Sequence, residues 1–343
     1  MPTKSTSAKK GWSRPNRGWK EIQAKKQISK KTKWALIIIG LILGLLILGK
    51  TVKLIKTIFT PWQESGSQRN YLWQGAFNIN LLIKAKKISL LSYSPQNQQI
   101  TILEIPQNSY LDVARGFGKW ELRSVFDLGG DKLLVDTLAS LLGIPIDGYL
   151  RLTDKYSQVE TSSLLEQLRK DPFILVNILP YLKTDLTPFE LVRLKMGLAG
   201  VRFDKIKQLD LQDANVFEKD QLADGTQILS PDLVKLDSIV SLLAEPSLQF
   251  EHKTIAIFNS TSHPGLAQKA ARVVTNLGGD VIITSNGQNK FSTTSVYGEK
   301  SKTLERLKQI FGQGGTIDPK LEDQVSSRAQ INILLGEDYN NSQ

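Results

Sequence analysis

From Ile79 onward, short apolar runs bounded by turn residues give way to longer stretches with helical spacing. INLLI from Ile79, ISLLSYS and QITILEI predict three strands, with Pro95, Gln96 and Asn97 turning the chain between the last two. Leu133, Leu134, Leu138, Leu141 and Leu142 then share one face of a predicted helix that Gly143 and Pro145 stop. A short strand around Ile146 to Leu152 follows, then helical segments around 158–182. Thr187-Pro188-Phe189-Glu190 has the capping-box form, and Leu191, Leu194, Met196 and Leu198 continue that helix. Lys205 to Leu211 reads as a strand, Gln212 to Ser230 as a polar loop, and Pro231 opens an amphipathic helix ending before Pro246. These elements predict a mixed α/β domain.

The last ninety or so residues repeat a simpler order. TIAIFN is a strand, and a helix carrying Leu266, Ala270, Val273, Val274 and Leu277 follows Pro264 and closes at Gly278-Gly279. DVIIT and STTSVY are strands around the Asn286-Gly287 loop; Leu304, Leu307, Ile310 and Phe311 mark a second helix; INILL is the last strand. The order β-α-β-β-α-β predicts an independent, ferredoxin-like (split βαβ) domain.

One apolar stretch lies outside this pattern. Trp34 to Gly49 is uncharged, and an apolar continuation to Trp62 carries Lys50, Lys53 and Lys56. The run alone is shorter than the roughly 20 residues a spanning helix needs, but snorkelling lysine stems extend it. Leu41 and Leu48 sit within it, and Trp34 and Trp62 bracket it as interfacial anchors. Of the 44 Lys and Arg, 11 precede residue 34, against one of the 33 acids, so +10 of the net +11 is held there. That flank is the positive-inside signal. It turns an apparent nucleic-acid-binding charge into a topology signal, leaving nucleic acid an unfavoured partner. The expectation is an uncleaved single-pass plasma-membrane anchor, with the N-terminus cytoplasmic, the remainder extracytoplasmic and the lipid bilayer a partner. The predicted organisation is a basic cytoplasmic tail (1–33), a transmembrane signal anchor (34–57), a linker (58–75), an α/β domain (76–245) and a C-terminal domain (252–340).

Composition narrows the chemistry. No cysteine is present, which removes disulfides, thiolate metal sites and a cysteine nucleophile. Two histidines, His252 and His263, are too few for a three-His zinc centre; both read as loop residues. The methionines and aromatic residues read as core.

The C-terminal block, with TIAIFNSTSHPGLAQKAARVVTNLGGDVI, TTSVYG and INILLGEDY, resembles the LytR C-terminal domain of bacterial envelope proteins over residues 252–339. Upstream, ISLLSYSPQNQQITILEIPQNSYLDV, LGGDKLLVDTLASLLGIPIDGYLRL, YLKTDLTPFELVRLK and DGTQILSPD resemble the LytR-CpsA-Psr catalytic domain. That resemblance implies transfer of glycopolymer from a polyprenyl pyrophosphate carrier to peptidoglycan with Mg²⁺. It also implies acids for the metal, arginines for the pyrophosphate and an apolar lipid channel.

At the family's charged positions this chain reads Lys84-Ala85-Lys86-Lys87 and Pro106-Gln107-Asn108, and no Arg-Gln run lies between Leu152 and Leu179. Glutamine and asparagine replace neither a bidentate guanidinium nor a hard-cation carboxylate. No catalytic residue is therefore assigned. Arg115, Lys119, Arg123, Lys84 and Lys86 are candidate phosphate-binding residues, against the blander reading of a solvated charged surface. Asp127, Asp131 and Asp136 read as helix-capping or flanking acids. The leading expectation is a non-catalytic envelope protein without a cofactor, binding peptidoglycan, polyprenyl-linked glycan or envelope proteins. The alternative is an active, Mg²⁺-using phosphotransferase built on displaced residues such as Arg115 and Arg123.

Overall fold

The computed structural model describes residue 60, residues 71–312 and residues 327–342. The basic tail and the anchor residues Trp34, Leu41, Leu48 and Trp62 lie outside the described residues. Among the described residues no helix is long and apolar enough to cross a membrane.

The first sheet has six strands. They are β1 (Ile79–Lys84), β2 (Ile88–Ser94), β3 (Gln99–Ile105), β6 (Gly148–Leu152), β7 (Leu182–Thr184) and β8 (Ile206–Asp210), in the order β7-β6-β1-β2-β3-β8. The β1–β2–β3 meander is antiparallel, while β6 and β8 join it parallel to β1 and β3. Both faces of the sheet are covered, which is why these strands read as continuous apolar runs. Leu82, Leu90 and Leu103 point to a core with Leu134 and Leu138 of helix α1 (Leu122–Leu142). Their neighbours Leu81, Leu91 and Ile102 point to a second core with α2 (Thr161–Lys170), α3 (Ile174–Ile178) and α4 (Pro188–Ala199).

Local chemistry sets the helix ends where it was legible. Gly143 caps α1 at φ +62°, a left-handed backbone that disfavours a side chain. Thr187 and Glu190 make both halves of the capping box on α4, and Glu190 also accepts from the Trp73 N–H at 2.8 Å.

The structure corrects several sequence expectations. Tyr110–Val113 (β4) and Gly118–Glu121 (β5) form a hairpin that was not foreseen. Within the expected 212–230 loop, Phe217–Gln221 (β9) and Gln227–Pro231 (β10) form another. Both have polar solvent faces and short apolar content, so periodicity carried no signal. Asp232, rather than Pro231, caps α5 (Leu233–Val240), and a further short helix, α6 (Pro246–Glu251), follows. Aromatic and methionine residues are not uniformly core: Phe203, Phe250 and Met196 are largely exposed.

The C-terminal block has β11 (Thr254–Asn259), α7 (Leu266–Asn276), β12 (Asp280–Asn286), β13 (Ser295–Gly298), α8 (Lys302–Phe311), β14 (Ile331–Leu335) and α9 (Glu337–Ser342). Its sheet order, β12-β11-β14-β13, is not ferredoxin-like. β11 and β12 are adjacent and parallel, so α7 makes an unsplit βαβ crossover, and β14 enters beside β11, parallel to it. The sequence gives element order but not strand insertion, and this is where the split-βαβ expectation fails. The block packs directly against the first half. Arg306 of α8 is fully buried against Asp147 and Glu245 of the first half, and Arg272 of α7 donates to the Ser140 and Leu141 carbonyls of α1.

Candidate phosphate-binding site

Parallel pairing of β1 with β6 sets Lys84 opposite Arg151. Side chains at paired positions share a face, and Phe126 of α1 lies under both. The Lys84 Nζ is 3.4 Å from the ring centroid and the Arg151 Cζ is 5.0 Å away. Across the same space Asp131 takes the Arg151 Nε at 2.9 and 3.0 Å through its two oxygens.

The Gly129-Gly130 pair makes this convergence possible. Gly130 has φ +70° and ψ −162°, and with Gly129 it breaks α1 into two segments. Phe126 comes from the segment before the break and Asp131 from the one after it. A Cβ on Gly129 would lie 2.7 Å from Leu133, so both glycines are required by geometry.

Two cations meet here, with Asp131 paired to Arg151 and Asp127 also acting on Lys84, so the charges nearly balance and Lys84 is the one cation of the pair without an ion-pair partner among the described residues. The Lys84 ammonium is held below the usual lysine range by burial first and by Arg151 second, against the opposing pull of Asp131 and Asp127. A half-buried lysine beside a second cation on an aromatic face suits an anion.

The five candidate residues do not form one group. Lys84, Lys86 and Arg123 lie at the same end of the sheet, where Gln107 donates to the Lys86 carbonyl at 3.0 Å and accepts from the Arg123 N–H. Lys86 pairs with Glu160 at 2.6 Å and Arg123 with Glu121, so only Lys84 among these three is left without a carboxylate partner. Arg115 turns instead to Asp136, and Lys119 lines a separate cleft. Asp131 and Asp136 are ion-pair partners of arginines rather than helix caps; the N-cap of α1 is Glu121.

Arg151 and Phe126 were missed. The readable signal was a cation inside GYLRL, a strand otherwise apolar, together with a double glycine interrupting a helical pattern.

Asp131 is committed to Arg151, Gln107 makes a backbone contact, and no group of three or more potential ligands gathers among the described residues. Between α2, α3, α4 and the sheet, an apolar cavity lined by residues such as Leu164, Ile178 and Leu194 has about 20 Å³, space for one water rather than a lipid tail.

In the C-terminal block, the closing Gly336-Glu337-Asp338-Tyr339 is a set of fasteners. The Glu337 carboxylate accepts from the Ser262 N–H and hydroxyl at 2.9 and 3.0 Å, and Asp338 accepts from the Thr294 N–H and hydroxyl. Tyr339 packs on Phe311 with centroids 5.6 Å apart. His263 lies 3.6 Å from Glu337 in the Ser260–Gly265 turn, and His252 ends α6 in a left-handed backbone at φ +48°.

Residues 253–339 match a family model described as the LytR cell envelope-related transcriptional attenuator. No curated protein matches the chain. Among solved structures, the transcriptional regulator YvhJ from Bacillus subtilis is 16% identical, with 48% of this chain and 94% of that one covered at a TM-score of 0.39. B. subtilis TagV is 14% identical, with 49% and 95% covered at 0.40. The LytR-CPS2A-psr family protein YwtF (TagT) with bound octaprenyl pyrophosphate lipid is 14% identical, with 53% and 93% covered at 0.37.

Proposed function

With residues 253–339 carrying the LytR C-terminal pattern, we propose a membrane-anchored, extracytoplasmic cell-envelope protein that holds phosphate on a wall glycopolymer or its polyprenyl-linked precursor without transferring it. The carrying observation is the Lys84–Arg151 pair over Phe126, with Asp131 committed to the arginine. Two cations on a low-polarity face bind a phosphate by charge and by the planar guanidinium. A transfer would further need a metal-holding acid set, and the positions that supply it in the resembled family are Lys84–Lys87 and Gln107–Asn108 here.

Three measurements test this. Full-length protein in nanodiscs is expected to bind polyprenyl pyrophosphate, with affinity at least about tenfold weaker in Lys84→Ala/Arg151→Ala. With Mg²⁺ and a lipid-linked glycan, no phosphate release is expected; turnover that Arg123→Ala abolishes would replace this reading with the active transferase. Alkaline phosphatase fused after Gln343 is expected to be active, and an inactive fusion alongside an active cytoplasmic reporter would overturn the topology.

A further inference from the structure

A second concavity lies between the two halves of the molecule, apart from the Lys84 site. Its volume is about 790 Å³, within the range of ligand pockets. One wall is the β4–β5 hairpin and the end of α1; the other is α7, α8 and α9.

The walls are fixed relative to one another. Arg272, on the C-terminal side, donates to the Ser140 and Leu141 carbonyls at 2.9 and 2.7 Å and to both Asp237 oxygens at 2.7 to 3.0 Å. Asn276 adds bonds to the Leu142 and Gly143 carbonyls at 3.2 Å. A cleft braced this way exists before any ligand arrives and needs little reorganisation to accept one.

Its lining mixes two kinds of surface. Tyr110 supplies a partly exposed ring, Phe311 and Tyr339 are largely buried and add only a little of theirs, and Val135, Ala139 and Ile310 add aliphatic surface. Asp112, Lys119, Gln268 and Lys269 supply exposed donors and acceptors around these. Lys119 stands opposite Asp112 in the hairpin register, Arg115 takes up Asp136 nearby, and Arg272 takes up Asp237. The charges therefore nearly cancel. A polyphosphate or nucleic acid would require a strong positive excess, and an apolar helix would require a continuous apolar groove. A ring-and-aliphatic lining edged by hydrogen-bonding groups of both signs matches a hexose chain, whose C–H faces pack on rings while its hydroxyls pair with amides, amines and carboxylates.

We propose that this cleft is a binding site for a carbohydrate polymer strand, with the C-terminal block forming one side of it. The assignment of sugar as the ligand class rests on the envelope reading above, but the site is separate from the one that reading uses. The hexose chemistry is shared by the glycan of peptidoglycan and by the sugar backbone of a wall glycopolymer.

The test uses full-length protein in detergent, titrated calorimetrically with neutral β-1,4-linked N-acetylglucosamine oligosaccharides, with glycan strands released from peptidoglycan, and with a phosphate-bearing wall glycopolymer. Saturable binding of a neutral strand is expected. Tyr110→Ala and Lys269→Glu are each expected to weaken it at least about tenfold, or 1.4 kcal/mol, with unchanged thermal unfolding. Preference for the released strands or for the glycopolymer names the source. Absence of saturable binding, variants that bind as wild type, or binding of the phosphate polymer alone that salt abolishes would overturn the proposal. Lys84→Ala/Arg151→Ala is expected to keep neutral-strand affinity. Loss there would merge the two sites and end this inference, leaving the phosphate-holding reading standing.

Discussion

Arg306 and Asp147, 159 residues apart in sequence, meet with side chains that are essentially unexposed, Nη2 to Oδ1 at 3.4 Å. The guanidinium also lies 3.4 Å from Glu245 through Nε, donates to the Tyr71 hydroxyl at 2.9 Å and reaches the Asn78 carbonyl at 3.2 Å. Asp147 in turn accepts from the Asn80 N–H at 2.7 Å, and Glu245 accepts from the Asn78 N–H. One cation of the C-terminal block thus organises the start of β1, the entry to β6 and the link between the halves.

Removing one member of a buried pair leaves an uncompensated charge, which costs about 3 to 5 kcal/mol. Arg306→Ala is expected to lose that much in urea unfolding, whereas Arg306→Lys, which keeps the charge but not the fork, is expected to fall between. An Arg306→Ala protein as stable as wild type would show that the halves are joined chiefly elsewhere.

The same cluster makes stability depend on pH. Burial pushes the Glu245 carboxyl from its ordinary 4.5 up to about 7, against the pull of Arg306 and the Asn78 N–H. Between those values the native state holds a proton that the unfolded chain has released. The contribution is therefore fully present below the ordinary value and is lost as pH rises through about 7. Thermal unfolding is expected to fall from pH 5 to pH 8, and Glu245→Gln is expected to flatten that part of the profile.

At Gly130, φ +70° with ψ −162° is a backbone that only glycine adopts readily. Gly130→Ala is expected to cost roughly 1 to 3 kcal/mol in denaturant unfolding and to weaken phosphate binding, since Phe126 and Asp131 approach from opposite sides of the break. A variant with full binding would separate the break from the site.

Because Lys84 is held below the usual lysine range, its positive charge is lost at lower pH than that of an exposed lysine. Phosphate affinity is expected to drop on the alkaline side before other lysines titrate. Lys84→Arg, which stays charged, is expected to remove that drop, measured by titration of polyprenyl pyrophosphate across pH.

The sequence was most readable where one physical rule dominated. Leu81 and Leu82 bury on opposite faces, so β1 shows as an apolar run; Thr187 and Glu190 announce α4 because capping is local chemistry. Residues 110–121 and 217–231 were unreadable because their strands keep one polar face and pair only locally. Strand order in the C-terminal sheet was equally hidden, since nothing in INILL says that it lies between β11 and β13. The site was half legible. Lys84 stood out as a cation after INLLI, but its partner Arg151 lies 67 residues on, and only the parallel register joins them.

That placement of β14 has a consequence for how the chain is made. The last strand of the C-terminal block lies between β11 and β13, and the residues after it fasten the Ser262 and Thr294 loops. A chain emerging from its N-terminal side can form the six-stranded sheet early but has an open seam beside β11 until Ile331 to Tyr339 arrive. Arrival of Ile331 to Tyr339 is thus the event that closes this half, and a chain cut short before Ile331 lacks the middle of a sheet rather than its edge.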